Sequence, residues 1–265
     1  MKNPGLLGPA LYIRSVTAPD LPYWLELGGV AVVTSVVSGV MGMAGGMLLL
    51  AVMLLKLEPG VAIPVHGIVQ LVSNGSRAFF LRRHVDWRAV WRFAWPLLPG
   101  GALGIWLLAY VPPSGSRIAI GSFVLASTWL KSFFSIGRGA TAERALPIGG
   151  ALVGFFSTLV GATGPLLGPF VLALELGAQG TIATLAACQI FQHGSKVLLF
   201  GLRGFNLAGY LLPCLGLSVC AVAGSAIGTR LLDHLPEKAF RLIVKITLTA
   251  LALHQLYVGL RALAA

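Results

Sequence analysis

Two apolar segments carry polar side chains that could hold a small anion. In the first, Gln70, Asn74 and Arg77 stand at i, i+4 and i+7, and His66 precedes them by one turn. That spacing stacks side chains on a single helical face. In the second, Gln189, His193 and Lys196 repeat the same spacing. Arginine presents a planar fork of donors suited to oxyanions and lysine a mobile point charge. The amides can donate to further oxygens. A cation inside a spanning helix costs about 2.5–3.5 kcal/mol on insertion scales, and such groups commonly face the bundle interior and mark solute pathways. Arg77 and Lys196 also lie four residues before their segments end, at 81 and 200. From there a long basic side chain can snorkel to the interface. The amides and His193 on the same face favour the pathway. Leu185 occupies the place matching His66, which leaves His66 open between a packed histidine and a site residue.

Glycine clusters open each of the two regions. The first reads Gly42-Met43-Ala44-Gly45-Gly46 and the second Gly161-Ala162-Thr163-Gly164-Pro165. Glycine tolerates bends that other residues resist, and Pro165 removes an amide donor. Irregular backbone at membrane depth survives where it is buried in protein or lines a cavity. A helix starting after each break would turn open N–H groups toward that cavity, a natural place for an anion. Close helix packing through small residues is the plainer use of the same glycines.

Acids are scarce inside the apolar segments. Glu175 is the best candidate for coupling to protons, although an interfacial charge is its simpler role, and Glu58 sits at a segment end. The sequence shows no paired carboxylates for hydrolysis, no phosphate-binding loop, no zinc spacing and no nucleophile–base pair, so we expect neither enzyme activity, cofactor nor metal. Cys188, Cys214 and Cys220 lie in apolar stretches without metal-ligand spacing and read as small buried hydrophobes.

The elements that must position these residues are membrane helices. Hydrophobic residues make up 57% of the chain and charged residues 10%, against about 25% charged in soluble domains. The net charge of +11 is concentrated in short gaps between apolar runs, as cytoplasmic loops require, so we expect no nucleic-acid partner. Apolar segments run over 28–41, 46–57, 61–81, 93–111, 117–136, 146–160, 165–176, 180–200, 207–232 and 239–259. About 20 residues are needed to span. The segments 61–81, 93–111, 117–136, 180–200, 207–232 and 239–259 meet that length. The pairs 28–41/46–57 and 146–160/165–176 read as short helices split by glycine. The basic gap from Arg82 to Arg92 and the linker with Arg138 and Arg144 are both placed in the cytoplasm by their charge, with Trp87, Trp91 and Trp95 as an interfacial belt.

The chain also matches itself. A shift of 119 residues aligns Ser38–Leu81 without a gap, setting Gly42 on Gly161, Gly45 on Gly164, Gln70 on Gln189 and Gly75-Ser76-Arg77 on Gly194-Ser195-Lys196. A shift of 124 then sets Gly100, Gly104, Pro112 and Arg117 on Gly224, Gly228, Pro236 and Arg241. Five segments per half, an odd number, would invert the second half relative to the first, a frequent transporter plan with its site where the repeats meet. If each short pair made one crossing, the repeats would be parallel; the inverted arrangement is the one we favour. The expected organisation is an N-terminal arm (1–25), repeat 1 (26–136), a basic linker (137–145) and repeat 2 (146–265).

The glycine-rich break opening each half, the helix with Gln followed by Gly-Ser-Arg/Lys, and the basic loop around Val85-Asp86-Trp87 resemble the TauE/SafE sulfite exporter family. The resemblance runs roughly from Gly28 to Tyr257 and is strongest over 38–88 and 157–206. It departs at Leu50, where Pro169 stands in the second half, and in the interrupted first glycine cluster. The resemblance implies a multi-pass permease of a bacterial-type inner (plasma) membrane that moves sulfite, thiosulfate or an organosulfonate. The residues thus lead to an all-α polytopic secondary transporter for a small anionic solute in a lipid bilayer. The sites expected to bind it are His66, Gln70, Asn74, Arg77, Gln189, His193 and Lys196, beside the helix-break glycines Gly42, Gly45, Gly46, Gly161 and Gly164. A homodimer is an open assembly for it. The alternative is a non-transporting integral-membrane subunit or assembly factor.

Overall fold

The computed structural model describes residues 20–41, 44–130, 136–231 and 237–264. Those residues form helices joined by short turns, with no strand among them. The helices are α1 (Leu21–Met41), α2 (Ala44–Met53), α3 (Pro59–Phe80), α4 (Trp87–Ala94), α5 (Leu97–Leu108), α6 (Pro113–Trp129), α7 (Ala140–Val160), α8 (Gly164–Leu172), α9 (Gly177–Leu202), α10 (Leu211–Leu231) and α11 (Glu237–Ala264).

Local chemistry explains the main boundaries. Pro59 and Pro113 sit in the first turns of α3 and α6, where the missing N–H costs no helical bond. Asp86 caps α4 by accepting from the Ala89 N–H at 3.1 Å, satisfying one of the open donors of a helix start. α7 ends on Gly161 at φ 80°, a left-handed conformation that glycine adopts without the clash a Cβ would bring.

The first member of each glycine-split pair is longer than the hydropathy suggested. α1 and α7 each have 21 residues, about 31 Å of helix, enough for a full crossing. The second members, α2 and α8, have 10 and 9 residues and reach only about 15 Å. The sequence pattern, starting at 28, missed the first turns of α1 because Tyr23, Trp24 and Glu26 dilute them, though all lie within the helix.

Three described helices are long and apolar enough to cross a membrane, over Leu21–Ser38, Leu207–Gly228 and Leu242–Ala264. The last two coincide with expected spans. Segment 93–111 is instead divided at Trp95-Pro96 into the end of α4 and α5, because proline cannot continue the i→i−4 ladder. Segment 117–136 yields a 17-residue α6. α3 and α9, with 22 and 26 residues, are long enough, but their polar stripes lower the hydropathy.

Packing follows the internal match. α1 lies mainly on α10, and α7 lies mainly on α5. The exchange of α1 for α7 and of α10 for α5 turns one contact into the other. α3 on α9 and α6 on α11 map onto themselves under the same exchange. The correspondence reaches single atoms. A Cβ on Gly100 or Gly104 would strike the carbonyl of Ala151 or Phe155, and one on Gly224 or Gly228 would strike that of Val32 or Val36. Val32 and Val36 stand 119 residues before Ala151 and Phe155. Each half therefore uses one pair of glycines, a turn apart, to bring two helix backbones into contact. Two apolar cores flank the α3–α9 crossing, one around α1, α2, α10 and α11, the other around α4, α7 and α8.

Exposed aromatics face outward. Trp87, Trp91 and Trp95 project from the exposed side of α4, next to the exposed Arg82, Arg83 and Arg88. That amphipathic arrangement suits a membrane interface.

Candidate functional site

The stripes identified on α3 and α9 face each other at their crossing. A small, partly open chamber lies between them and the starts of the two short helices. His66 and Gln70 line it from α3, and Gln189, Gln192 and His193 line it from α9. Ser38 of α1, Gly46 and Met47 of α2, and the Ala162-Thr163-Gly164 segment opening α8 complete the wall.

Each short helix is held by a side chain from the crossing pair. His66 Nε2 lies 2.9 Å from the carbonyl oxygen of Gly46. Lys196 Nζ donates to the Gly161 carbonyl at 2.7 Å, and Gln192 Nε2 donates to Thr163 Oγ1 at 2.8 Å. Lys196 serves a carbonyl past the last turn of α7 and Gln192 a hydroxyl, both outside a helical ladder, while His66 adds a contact to a carbonyl within α2. Gly46 faces the amide of Gln70, and a Cβ there would sit 3.4 Å from Gln70 Cδ, in ordinary contact. Asn74 Nδ2 donates to both the backbone oxygen and Oε1 of Gln70, at 2.9 and 3.4 Å. The bond to Oε1 turns the Gln70 oxygen toward Asn74 and frees its NH2 for another acceptor.

Asn74, Arg77 and Lys196 do not line the chamber; they form the layer behind it. Arg77 is 6% exposed and donates to Ser38 and Ser225 hydroxyls at 3.4 and 3.3 Å. Lys196 is fully buried, and its stem passes Gly67, where a Cβ would lie 2.8 Å from Lys196 Cε. Neither cation snorkels outward. Neither belongs to an ion pair among the described residues, whose four pairs are Lys56–Glu26, Arg92–Glu143, Arg117–Glu58 and Arg138–Glu175. Two positive charges without acids thus stand behind a wall of amides, hydroxyls and imidazoles. Their field inside a low-dielectric bundle reaches the chamber with little screening.

The acids weighed from the sequence lie elsewhere. Glu175 is exposed and pairs with Arg138. Glu58 pairs with the buried Arg117, which also donates to the Leu54 and Leu57 carbonyls and to Gln255. Cys188 and Cys214 are buried free thiols and Cys220 is half-buried.

The glycines divide into three roles. Gly46 and Gly164 line the chamber. Gly161 supplies the left-handed turn after α7. Gly45 packs, since a Cβ there would collide with the Thr34 carbonyl and with Ser38. Gly42 lies outside the described residues. The start of α8 offers fewer open donors than expected, because Pro165 has no N–H and the Leu166 and Leu167 amides bond the Thr163 oxygen at 3.0 and 3.1 Å.

Ser38, Met47, Ala162, Thr163 and Gln192 line the chamber without having been singled out as binding residues. For Gln192 a signal existed. It falls at i+3 from Gln189 and matches Ser73 under the 119-residue shift, so it belongs to the same stripe.

The family model described as Sulfite exporter TauE/SafE matches residues 27–254. The chain belongs to the TauE/SafE sulfite exporter family. No curated protein and no solved structure matches it. Family membership and the apolar helices make this TauE/SafE protein a membrane protein of a transporter family, as the glycine breaks and the Gln-to-Arg/Lys helices implied. The matched range takes in both short helices, the α3–α9 crossing and every residue of the chamber wall.

Proposed function

We propose that this protein is a secondary transporter that moves a small sulfur oxyanion, such as sulfite, thiosulfate or an organosulfonate, through the chamber between α3 and α9. The observation that carries the reading is the convergence of three glutamine amides from both halves on one cavity, backed by two buried cations with no acid partner among the described residues. Amide N–H groups supply directional donors, and the cations supply attraction that no carboxylate cancels. In this reading Gln70, Gln189, Gln192 and the two histidines touch the solute, while Arg77 and Lys196 set the potential and Lys196 also holds the turn before α8.

The same reading takes the two halves as inverted repeats over 26–136 and 146–265, joined by the 137–145 linker, in a multi-pass bacterial-type inner membrane. The five apolar sequence segments per half and the self-paired crossings α3–α9 and α6–α11 support it. A site at such a crossing is open to alternating access by rocking of one half on the other.

The test is flux of labelled sulfite and thiosulfate into proteoliposomes. Wild-type protein should transport at least one of them, and the Gln70→Ala/Gln189→Ala double variant should lose uptake while still folding. Wild-type-like uptake by that double variant would remove the chamber from the pathway.

A further inference from the structure

His66 and His193 meet across the α3–α9 crossing with ring centroids 5.7 Å apart and planes at 80°. Both rings are almost fully buried and line the chamber, and each has a buried Nδ1 with no partner. Geometry fixes the tautomer of His66. Its Nε2 lies 2.9 Å from the Gly46 carbonyl oxygen, which can only accept, so Nε2 carries hydrogen and Nδ1 keeps its lone pair. A proton added at Nδ1 would leave the bond to Gly46 intact and create a second donor for an anion oxygen.

The charged group beside both rings is Lys196. Among the elements packed on α3 and α9, α2, α5 and α8 carry no ionisable side chain. α10 contributes the thiols of Cys214 and Cys220, and α9 itself that of Cys188. Arg117 of α6 is paired with Glu58, and Arg92 of α4 with Glu143 of α7. Arg77 on α3 is held by serines. Arg82, Arg83, His84, Arg88 and Arg144 are exposed, and Asp86 caps α4. No described carboxylate pairs with either imidazole. A proton in the empty chamber therefore adds positive charge beside Lys196 with nothing to balance it, whereas a bound anion balances it.

We propose that the His66–His193 pair takes up one proton with each anion, so that proton and anion cross together. The proposal rests on the anion-transport reading above and names its coupling ion. The proton comes from water, bonds to an imidazole lone pair as the anion enters, and returns to water when the anion leaves. No bond within the anion breaks. Because the two binding events favour each other, the coupling is reciprocal: lower pH tightens anion binding, and anion binding draws protons in.

Thiosulfate is the probe, since its charge is constant from about pH 6 to 8, the range in which histidine titrates, while sulfite itself titrates there. Calorimetry of the full-length protein in two buffers of different ionisation heat counts protons taken up per thiosulfate bound. We expect about one proton per anion, an affinity that rises by up to about tenfold for each pH unit lowered, and acidification inside proteoliposomes that tracks thiosulfate entry. His66→Gln keeps an N–H for Gly46 but cannot titrate; His193→Asn installs the residue found at the matched position, Asn74. Each should flatten the pH dependence and lower the proton count. The wild-type count decides the matter even if a variant fails to fold. Thiosulfate binding without proton uptake overturns this coupling and leaves anion transport standing. No binding of thiosulfate, sulfite or any sulfonate overturns both.

Discussion

The two short helices occupy matched places in the two halves, yet they are fastened differently. α2 is held through the Gly46 carbonyl by a neutral imidazole, His66. The turn before α8 is held through the Gly161 carbonyl by an ammonium, Lys196, with Gln192 on Thr163 as a second tie. The matched cation of the first half, Arg77, instead spans two hydroxyls on α1 and α10. The Gly161 carbonyl, past the last turn of α7, needs a donor from outside the helix, whereas the Gly46 carbonyl lies within α2 and takes its histidine as an added bond; the identity of the donor is free to drift. The drift makes the chamber asymmetric. One wall gains a histidine that the other replaces with Leu185, and the second half carries the more deeply buried charge. Arg117 supplies the contrast: also buried, it is neutralised by Glu58 and used up on the Leu54 and Leu57 carbonyls of the turn after α2, which is how a purely structural cation is built.

Substitutions can break this comparison or sharpen it. The largest effect should come from Lys196→Met, which keeps the volume and removes the charge. If Lys196 serves the anion, uptake should fall by about a hundredfold, roughly 3 kcal/mol. Thermal stability should change by no more than about 1–3 kcal/mol, the relief of no longer burying an ammonium being set against the donor that the Gly161 carbonyl loses. A collapse in melting temperature instead would make Lys196 a tie for Gly161 alone. Next is Gly161→Ala, where φ is 80° and a Cβ would sit 2.6 Å from Leu50 Cδ2. We expect a loss of about 2 kcal/mol in unfolding stability, measured by thermal or denaturant melts in detergent. Arg77→Lys should weaken anion affinity by about tenfold, or 1.4 kcal/mol, because a point charge cannot bridge Ser38 and Ser225 as the guanidinium does. Equal affinity would show that only the charge matters in the first half. The smallest change belongs to Gly46→Ala. Its Cβ would make ordinary contact with the Gln70 amide, so stability should shift by less than about 1 kcal/mol, while uptake reports whether the Gln70 orientation counts.

Much of this was legible in the residues. The two polar stripes, their register 119 residues apart and the paired glycines of α5 and α10 all follow from identities at fixed spacing, and each reappears as a contact. The short helices were expected at the glycine clusters, but the lengths of α1 and α7 were not, because polar and aromatic residues near their starts mask helix in a hydropathy profile. Helix geometry continues through Glu26 and Glu143 as readily as through leucine, since neither residue breaks the backbone ladder.

What the sequence determined alone was local and periodic: helicity, which face of α3 and α9 is polar, the duplication, and through it the family. Those properties depend on neighbours within a turn or on identity at a fixed shift. The tertiary structure decided which polar residues open onto space and which stand behind them. Gln70 and Arg77 share a stripe, but where α9 crosses α3 determines that one meets the chamber and the other a pair of serines. The same crossing brings His66 to His193, residues that do not correspond under the repeat and so had no signal linking them. Periodicity sets the direction a side chain leaves its helix; the angle and depth at which two helices cross set what it finds there.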